Sequence, residues 1–196
     1  MAALDDIIIA TARLIAPKRH GLATFPYITA LVAGVDIEWD DLSASTWSVE
    51  HADTLFEHLP VFEKDGLLVA QPFAIVRYLA FLGEIQGQTP GAFAQSEMLT
   101  EEVAELYSLF ETGPEKLNPR LERMEKLLFE DFFTGSQPVQ ADAVVWTLCY
   151  LVGRYASVAF ETKVLDKLPR LKEWYSRMAG LDAITNSKTY LDSIPQ

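Results

Sequence analysis

LPVFEKDGLLVAQPFAIVRYLA, Leu59 to Ala80, is the stretch whose reading decides the fold. A short apolar strand begins at Pro60 and runs to Asp65-Gly66. Asp-Gly between two apolar runs is the strongest short signal for a hairpin. A second strand, Leu67 to Ala70, leads into a helix that opens at Gln71-Pro72. Proline suits the first helical turn, where its missing N–H is not needed. Ala74, Ile75, Tyr78 and Leu79 then recur at helical spacing and leave Arg77 on the polar side. Strand, hairpin, strand and helix N-terminus form a geometry able to hold an anion, because the first amides of a helix point outward without partners.

The rest of the chain extends this pattern on both sides. Residues 6–16 are rich in β-formers, and the first strand is expected in their second half. Pro17 to Leu22 is a turn by composition, Ala23 to Ala33 a helix stopped by Gly34, and Val35 to Trp39 a second strand. A short helix is expected near Trp47. Gly83 to Ala92 is a linker rich in Gly, Pro and Gln, and no strand pattern follows it. Glu97 to Phe110, with Met98, Leu99, Val103, Leu106, Tyr107 and Phe110 on one face, Asn118 to Phe133 and Leu171 to Leu181 read as amphipathic helices. Asp142 to Tyr155 is apolar nearly all round, the mark of a buried central helix, and Ser187 to Ser193 is a last short one. The expectation is therefore an α/β thioredoxin-like domain over residues 1–83, a linker at 84–94 and an all-helical domain at 95–196.

Composition narrows the function. With 49% hydrophobic residues the 196-residue chain is no disordered protein and can bury a large core. A net charge of −12 argues against nucleic acid and anionic membranes as partners. No apolar run reaches the ~18 residues of a membrane span. Met-Ala-Ala-Leu-Asp-Asp has no basic region, so no signal peptide is read. The one cysteine, Cys149, lies in an apolar run and fits a reducing compartment as a buried, inert thiol, so the expected location is cytoplasmic. His20, His51 and His58 show no metal-ligand spacing, and there is neither a Gly-rich phosphate loop nor a nucleophile elbow.

Leu59 to Ala80 resembles the second half of the thioredoxin-like domain of glutathione transferases, nearest to the sigma class of prostaglandin D synthases and S-crystallins. The resemblance covers nearly the whole length. LDKLPRLKEWYSRMAGLDAI (Leu165 to Ile184) is similar to that family's final helices, and VQADAVV (Val139 to Val145) to the start of its buried helix. The family caps that helix with Ser or Thr; here the position is Val139, so Asp142 or a neighbour is expected to substitute. The segment from Phe110 to Asn118 is shorter than the resemblance implies.

The resemblance implies a glutathione site, which places three demands on the residues. At the glycyl carboxylate, Trp47 stands where the family has its tryptophan, but His51 replaces its lysine. At the centre, Leu59 offers its backbone to the cysteinyl unit, and Pro60 is expected to follow a cis peptide bond. At the γ-glutamyl carboxylate Gln71 is kept, but Pro72 replaces a serine and offers neither N–H nor hydroxyl. Losing two hydrogen bonds to a charged group weakens binding by about 3–6 kcal/mol, on the order of two to four powers of ten. Glu97 stands where the family has an acid that reaches across a dimer to the γ-glutamyl amine. At the thiol, the catalytic tyrosine falls on Ala16, and an alanine methyl cannot hydrogen-bond a thiolate. The flanking arginines fall on His20 and Leu22; a shifted alignment offers Thr11, Lys18, Arg19, His20 or Thr24 as a substitute donor.

The expected function is a homodimeric glutathione-transferase-like protein that is non-catalytic or binds glutathione weakly, in a structural, scaffold or ligand-binding role, with no metal. The alternative is an active transferase or isomerase that uses a substitute for the tyrosine.

Overall fold

The structure, a computed structural model, describes residues 12–19, 21–42, 46, 56, 58–110, 117–155 and 164–194. The hairpin forms as the Asp-Gly signal requires: β3 (Val61–Lys64) and β4 (Leu67–Ala70) are joined by Asp65 and Gly66, both at positive φ. Strand β1 (Arg13–Ala16) pairs antiparallel with β3, and β2 (Glu38–Asp41) runs parallel to β1. The resulting sheet has the order β2-β1-β3-β4. One face carries Leu14, Trp39 and Phe62 into the main core. The other packs Ile15, Val61 and Ala70 against Leu42, Leu59 and Leu68.

Helices α1 (Thr24–Ala33) and α2 (Pro72–Leu82) cover the first face. Gly34 ends α1 in the left-handed conformation, its N–H on the Ala30 and Leu31 carbonyls, as a glycine stop should. Strand β2 starts later than its apolar residues suggest. The Val35 N–H closes back on the Ala30 carbonyl, and pairing begins only where Arg13 meets Glu38.

Beyond residue 83 the structure is helical, with α3 (Pro90–Phe110), α4 (Asn118–Leu127), α5 (Gln140–Tyr155), α6 (Pro169–Ala179) and α7 (Asp182–Ser193). This is the expected thioredoxin-like order followed by an all-α half. Some limits differ from expectation. Helix α3 begins seven residues before Glu97, because Pro90 fits its first turn and the Thr89 hydroxyl accepts the Ala92 N–H (3.1 Å). Helix α4 stops at Leu127 rather than Phe133; Leu128 turns extended, and Phe132 and Phe133 reach the core from an irregular segment. Met98 is exposed, since the stripe of α3 that faces inward is Ser96, Leu99, Thr100, Val103 and Leu106. Helix α7 begins at Asp182, five residues ahead of Ser187. The short helix expected near Trp47 and the segment 111–116 lie outside the described residues. Among the described residues no helix is long and apolar enough to cross a membrane.

Helix α5 is the axis, with nearly every residue from Gln140 to Val152 buried. Val139 cannot cap it, and two other side chains do. Asp142 Oδ2 accepts the Val139 N–H (2.9 Å), and Ser96 Oγ, from α3, accepts the Ala141 N–H (3.1 Å). The second Asp142 oxygen accepts the Trp174 indole N–H (2.7 Å) and the Phe133 amide (3.2 Å). One buried carboxylate thus ties α5, α6 and the segment after α4 together.

Burial pushes the Asp142 carboxyl up to about 6, against the pull of these donors. The folded value lies above the unfolded one, so this contribution to stability is whole below about pH 4 and is lost as pH rises through about 6. Relative to Asp142→Asn, which does not titrate, the wild-type protein is expected to lose about 2 kcal/mol between pH 4 and pH 7. Urea unfolding across that range measures it, and a difference that stays flat or rises contradicts the assignment.

Candidate functional site

A cleft of about 530 Å³ opens at the end of β1 and the starts of β3 and α2, lined by Ala16, Pro17, Arg19, Leu22, Ala23, His58, Leu59, Pro60, Gln71 and Pro72. The sequence brings these residues together for separate reasons. Ala16 closes β1 and is fully buried, with its carbonyl held by the Trp39 indole N–H (3.2 Å). The turn after it is fixed by the Lys18 N–H on Asp41 Oδ1 (2.7 Å) and by the Gly21 N–H on the Thr24 hydroxyl (3.1 Å). The Leu59–Pro60 peptide is cis, as expected, and leads directly into β3.

Gln71 sits between β4 and α2 at φ 74° and ψ 120°, a conformation that suits glycine and strains a residue with a side chain. Such strain is held where a turn must present its residue to a ligand. The donors beside it are few. Pro72 has no N–H, and the Ala74 and Ile75 amides both point to the Gln71 carbonyl, at 3.1 and 3.0 Å.

The structure places the sequence candidates as follows. Ala16, Leu59, Pro60, Gln71 and Pro72 meet in the one cleft. Lys18 turns away from it, its ammonium 4.7 Å from the centre of the Tyr190 ring on α7. The Thr24 hydroxyl is buried and holds the turn. Thr11, His20, Trp47 and His51 lie outside the described residues. Glu97, on α3, has both carboxylate oxygens engaged within its own chain. Arg77 Nε donates to one (2.7 Å) and Gln140 Nε2 to the other (2.8 Å). Arg77 also pairs with Glu101, so the polar side of α2 is anchored to α3.

Pro17, Ala23 and His58 line the cleft without an assigned site role in the sequence reading, and Leu22 lines it where the resemblance implies an arginine. His58 and Leu22 reach the cleft because one precedes the cis bond and the other ends the β1 turn. Proximity to Pro60 in the sequence was the available signal for His58. Among the described residues no group of three or more His, Cys, Asp or Glu could hold a metal ion.

No protein-family model matches the chain. It is 26% identical over 168 residues to haematopoietic prostaglandin D synthase of Gallus gallus, covering 78% of this chain and 82% of that one. Glutathione S-transferase alpha M14 of Sus scrofa is 25% identical over 189 residues, covering 84% and 83%. Among solved structures, the Pi-class glutathione S-transferase of Onchocerca volvulus superposes with a TM-score of 0.82 over 93% of this chain and 94% of that one, at 19% identity.

If Gln71 is strained to serve the cleft, glycine relieves it. Gln71→Gly is expected to raise stability to urea by about 1 kcal/mol, strain relief of about 1–3 less glycine's entropic cost. A loss of stability would show that the side chain holds the turn instead.

Proposed function

We propose that the chain is a sigma-like member of the glutathione transferase superfamily that is non-catalytic or binds glutathione weakly, acting as a ligand-binding, structural or scaffold protein. One observation carries this reading. The described wall of the cleft holds no hydroxyl, with Ala16 beneath it and Pro72 at the mouth of α2. A thiol bound there meets no hydroxyl donor to favour its thiolate, which is the nucleophile in transferase chemistry. A carboxylate at Gln71 finds neither an N–H nor a hydroxyl on residue 72.

A second reading has a specific observation in its favour. Arg19 lines the same cleft, and a cation beside a thiol lowers its pKa. The relatives bear enzyme names, which supports the same alternative. Conjugation of glutathione to 1-chloro-2,4-dinitrobenzene separates the two readings. The first expects no turnover above the uncatalysed rate and weak retention on immobilised glutathione. Pro72→Ser is expected to strengthen that retention tenfold or more. Turnover that survives Thr11→Ala, Lys18→Ala, Arg19→Ala and His20→Ala singly would overturn both readings.

A cytoplasmic homodimer belongs to the same proposal, with domains at 1–83 and 95–196 about the 84–94 linker. Burial pushes the fully enclosed Cys149 thiol up to about 12, which suits a structural thiol in a reducing compartment. Phe81 at the end of α2 is 67% exposed, and Phe93 and Met98 on α3 are 47% and 51% exposed. These large apolar side chains flank the Arg77–Glu97–Glu101 ion pairs, an arrangement that a second copy would cover. Phe81→Glu is expected to convert the dimer to monomer by light scattering. A wild-type protein that already runs as a monomer contradicts the homodimer.

A further inference from the structure

Phe129 is the most exposed large apolar side chain among the described residues, at 70%. It stands in the irregular segment after α4, and side chains from α3 and α6 brace the backbone of that segment. Gln95 Nε2, on α3, donates to the Leu127 and Phe133 carbonyls (3.2 and 3.0 Å). Arg170 Nη2, on α6, donates to the Leu128 carbonyl, and Arg177 Nη1 to the Asp131 carbonyl (2.7 Å). Within the segment the Glu130 N–H reaches the Phe132 carbonyl (3.3 Å), and the Phe132 N–H the Gly135 carbonyl (2.9 Å). The ring is therefore held out in water on a fixed turn. Such a turn has already lost the entropy that a loose one would lose on association.

A groove of about 260 Å³ lies beside this turn, between α4 and the short turn Leu165–Lys167. Val164 and Leu168 form its apolar part, and Lys126 and Lys167 supply its cations. Groove and turn are contiguous: Lys126 is in the last turn of α4, just ahead of Phe129, and Arg170, which grips Leu128, has its own N–H on Glu125 Oε1 in the groove wall (2.8 Å). Their charges are opposite. Lys64 and Lys172 pair with carboxylates, whereas the exposed Lys126 and Lys167 have no such partner among the described residues. Of the two acids in the groove, Glu125 is committed to the start of α6, which leaves Glu122 alone against the two lysines. Beside Phe129, Asp131 pairs with Arg177 (3.4 Å), but the exposed Glu130 has no basic partner among the described residues.

We propose that this face binds a second copy of the chain, with the Phe129 ring of each copy entering the groove of the other between Val164 and Leu168, and Glu130 meeting Lys126 and Lys167. A knob and a socket side by side on one face suit a twofold contact, in which every residue pair occurs twice. The aromatic ring leaves water there, and the opposite charges fix its orientation. Two rings and two short grooves make a small contact, so the association is weak and depends on concentration. It uses α4, the turn after it and the start of α6, none of which carries the Phe81, Phe93 and Met98 side chains. A homodimer joined at those residues keeps a free knob and socket on each copy.

Sedimentation equilibrium of the full chain over a range of protein concentrations tests this. The weight-average mass of the wild type is expected to rise with concentration, from whatever state it holds when dilute. Phe129→Ser, at a solvent-exposed ring, is expected to weaken that association by on the order of tenfold or more. Glu130→Lys is expected to weaken it as well, and combining it with Lys126→Glu and Lys167→Glu in one chain to restore it. Phe81→Glu is expected to lower the dilute mass and leave the rise in place. A wild-type mass that stays constant overturns the inference, even if this turn then proves to seat a different protein. A rise that persists unchanged in Phe129→Ser, or a charge exchange that restores nothing, overturns it too.

Discussion

The buried carboxylate of Asp142 is the interaction on which the rest of the structure depends. A helix that is apolar on every side can serve as an axis only if its first amides find acceptors inside the protein. Asp142 and Ser96 supply them, from α5 itself and from α3. The same carboxylate receives the Trp174 indole and the Phe133 amide. The position of α5 then decides where α1, α3 and α6 can lie, and with them the helical wall that faces the turn after β1.

The second constraint is the passage from β4 into α2. Chain direction changes at Gln71 under strain, and Pro72 starts the helix without a donor. In a thioredoxin-like fold this corner, together with the cis bond before β3, makes the mouth of a cleft. The corner is built as a binding site is built, yet its hydrogen-bonding capacity is low. Scaffold and chemistry are set separately: the shape follows from the sheet and α2, whereas the donors are set by single side chains.

Much of the fold was legible because its signals are local. Asp65-Gly66, Gly34 and Pro72 each act within a few residues of themselves, and the hairpin, the end of α1 and the start of α2 follow from them. Where the sequence misled, a tertiary contact intervened. The segment after Leu127 keeps helical apolar spacing, but Asp142 draws the Phe133 amide out of any helix. Met98 sits beside Leu99 in an apolar run, and only the packing of α3 on α5 decides which of the two is buried. In the cleft, Ala16, Pro60 and Gln71 were named by the family resemblance, and the structure brings them together there. That Arg19 has no carboxylate partner among the described residues was not legible, because it depends on which acids the fold brings near.

On the proposed non-catalytic reading the cleft leaves a bound thiol unactivated, and the pH titration of the glutathione thiolate in the presence of saturating protein, followed by ultraviolet difference absorbance, measures this at the sulfur itself. Titration at the pH of free glutathione is the predicted result. A bound thiol whose pKa is lowered by about two units or more contradicts it, since such a shift requires a donor or cation at the sulfur.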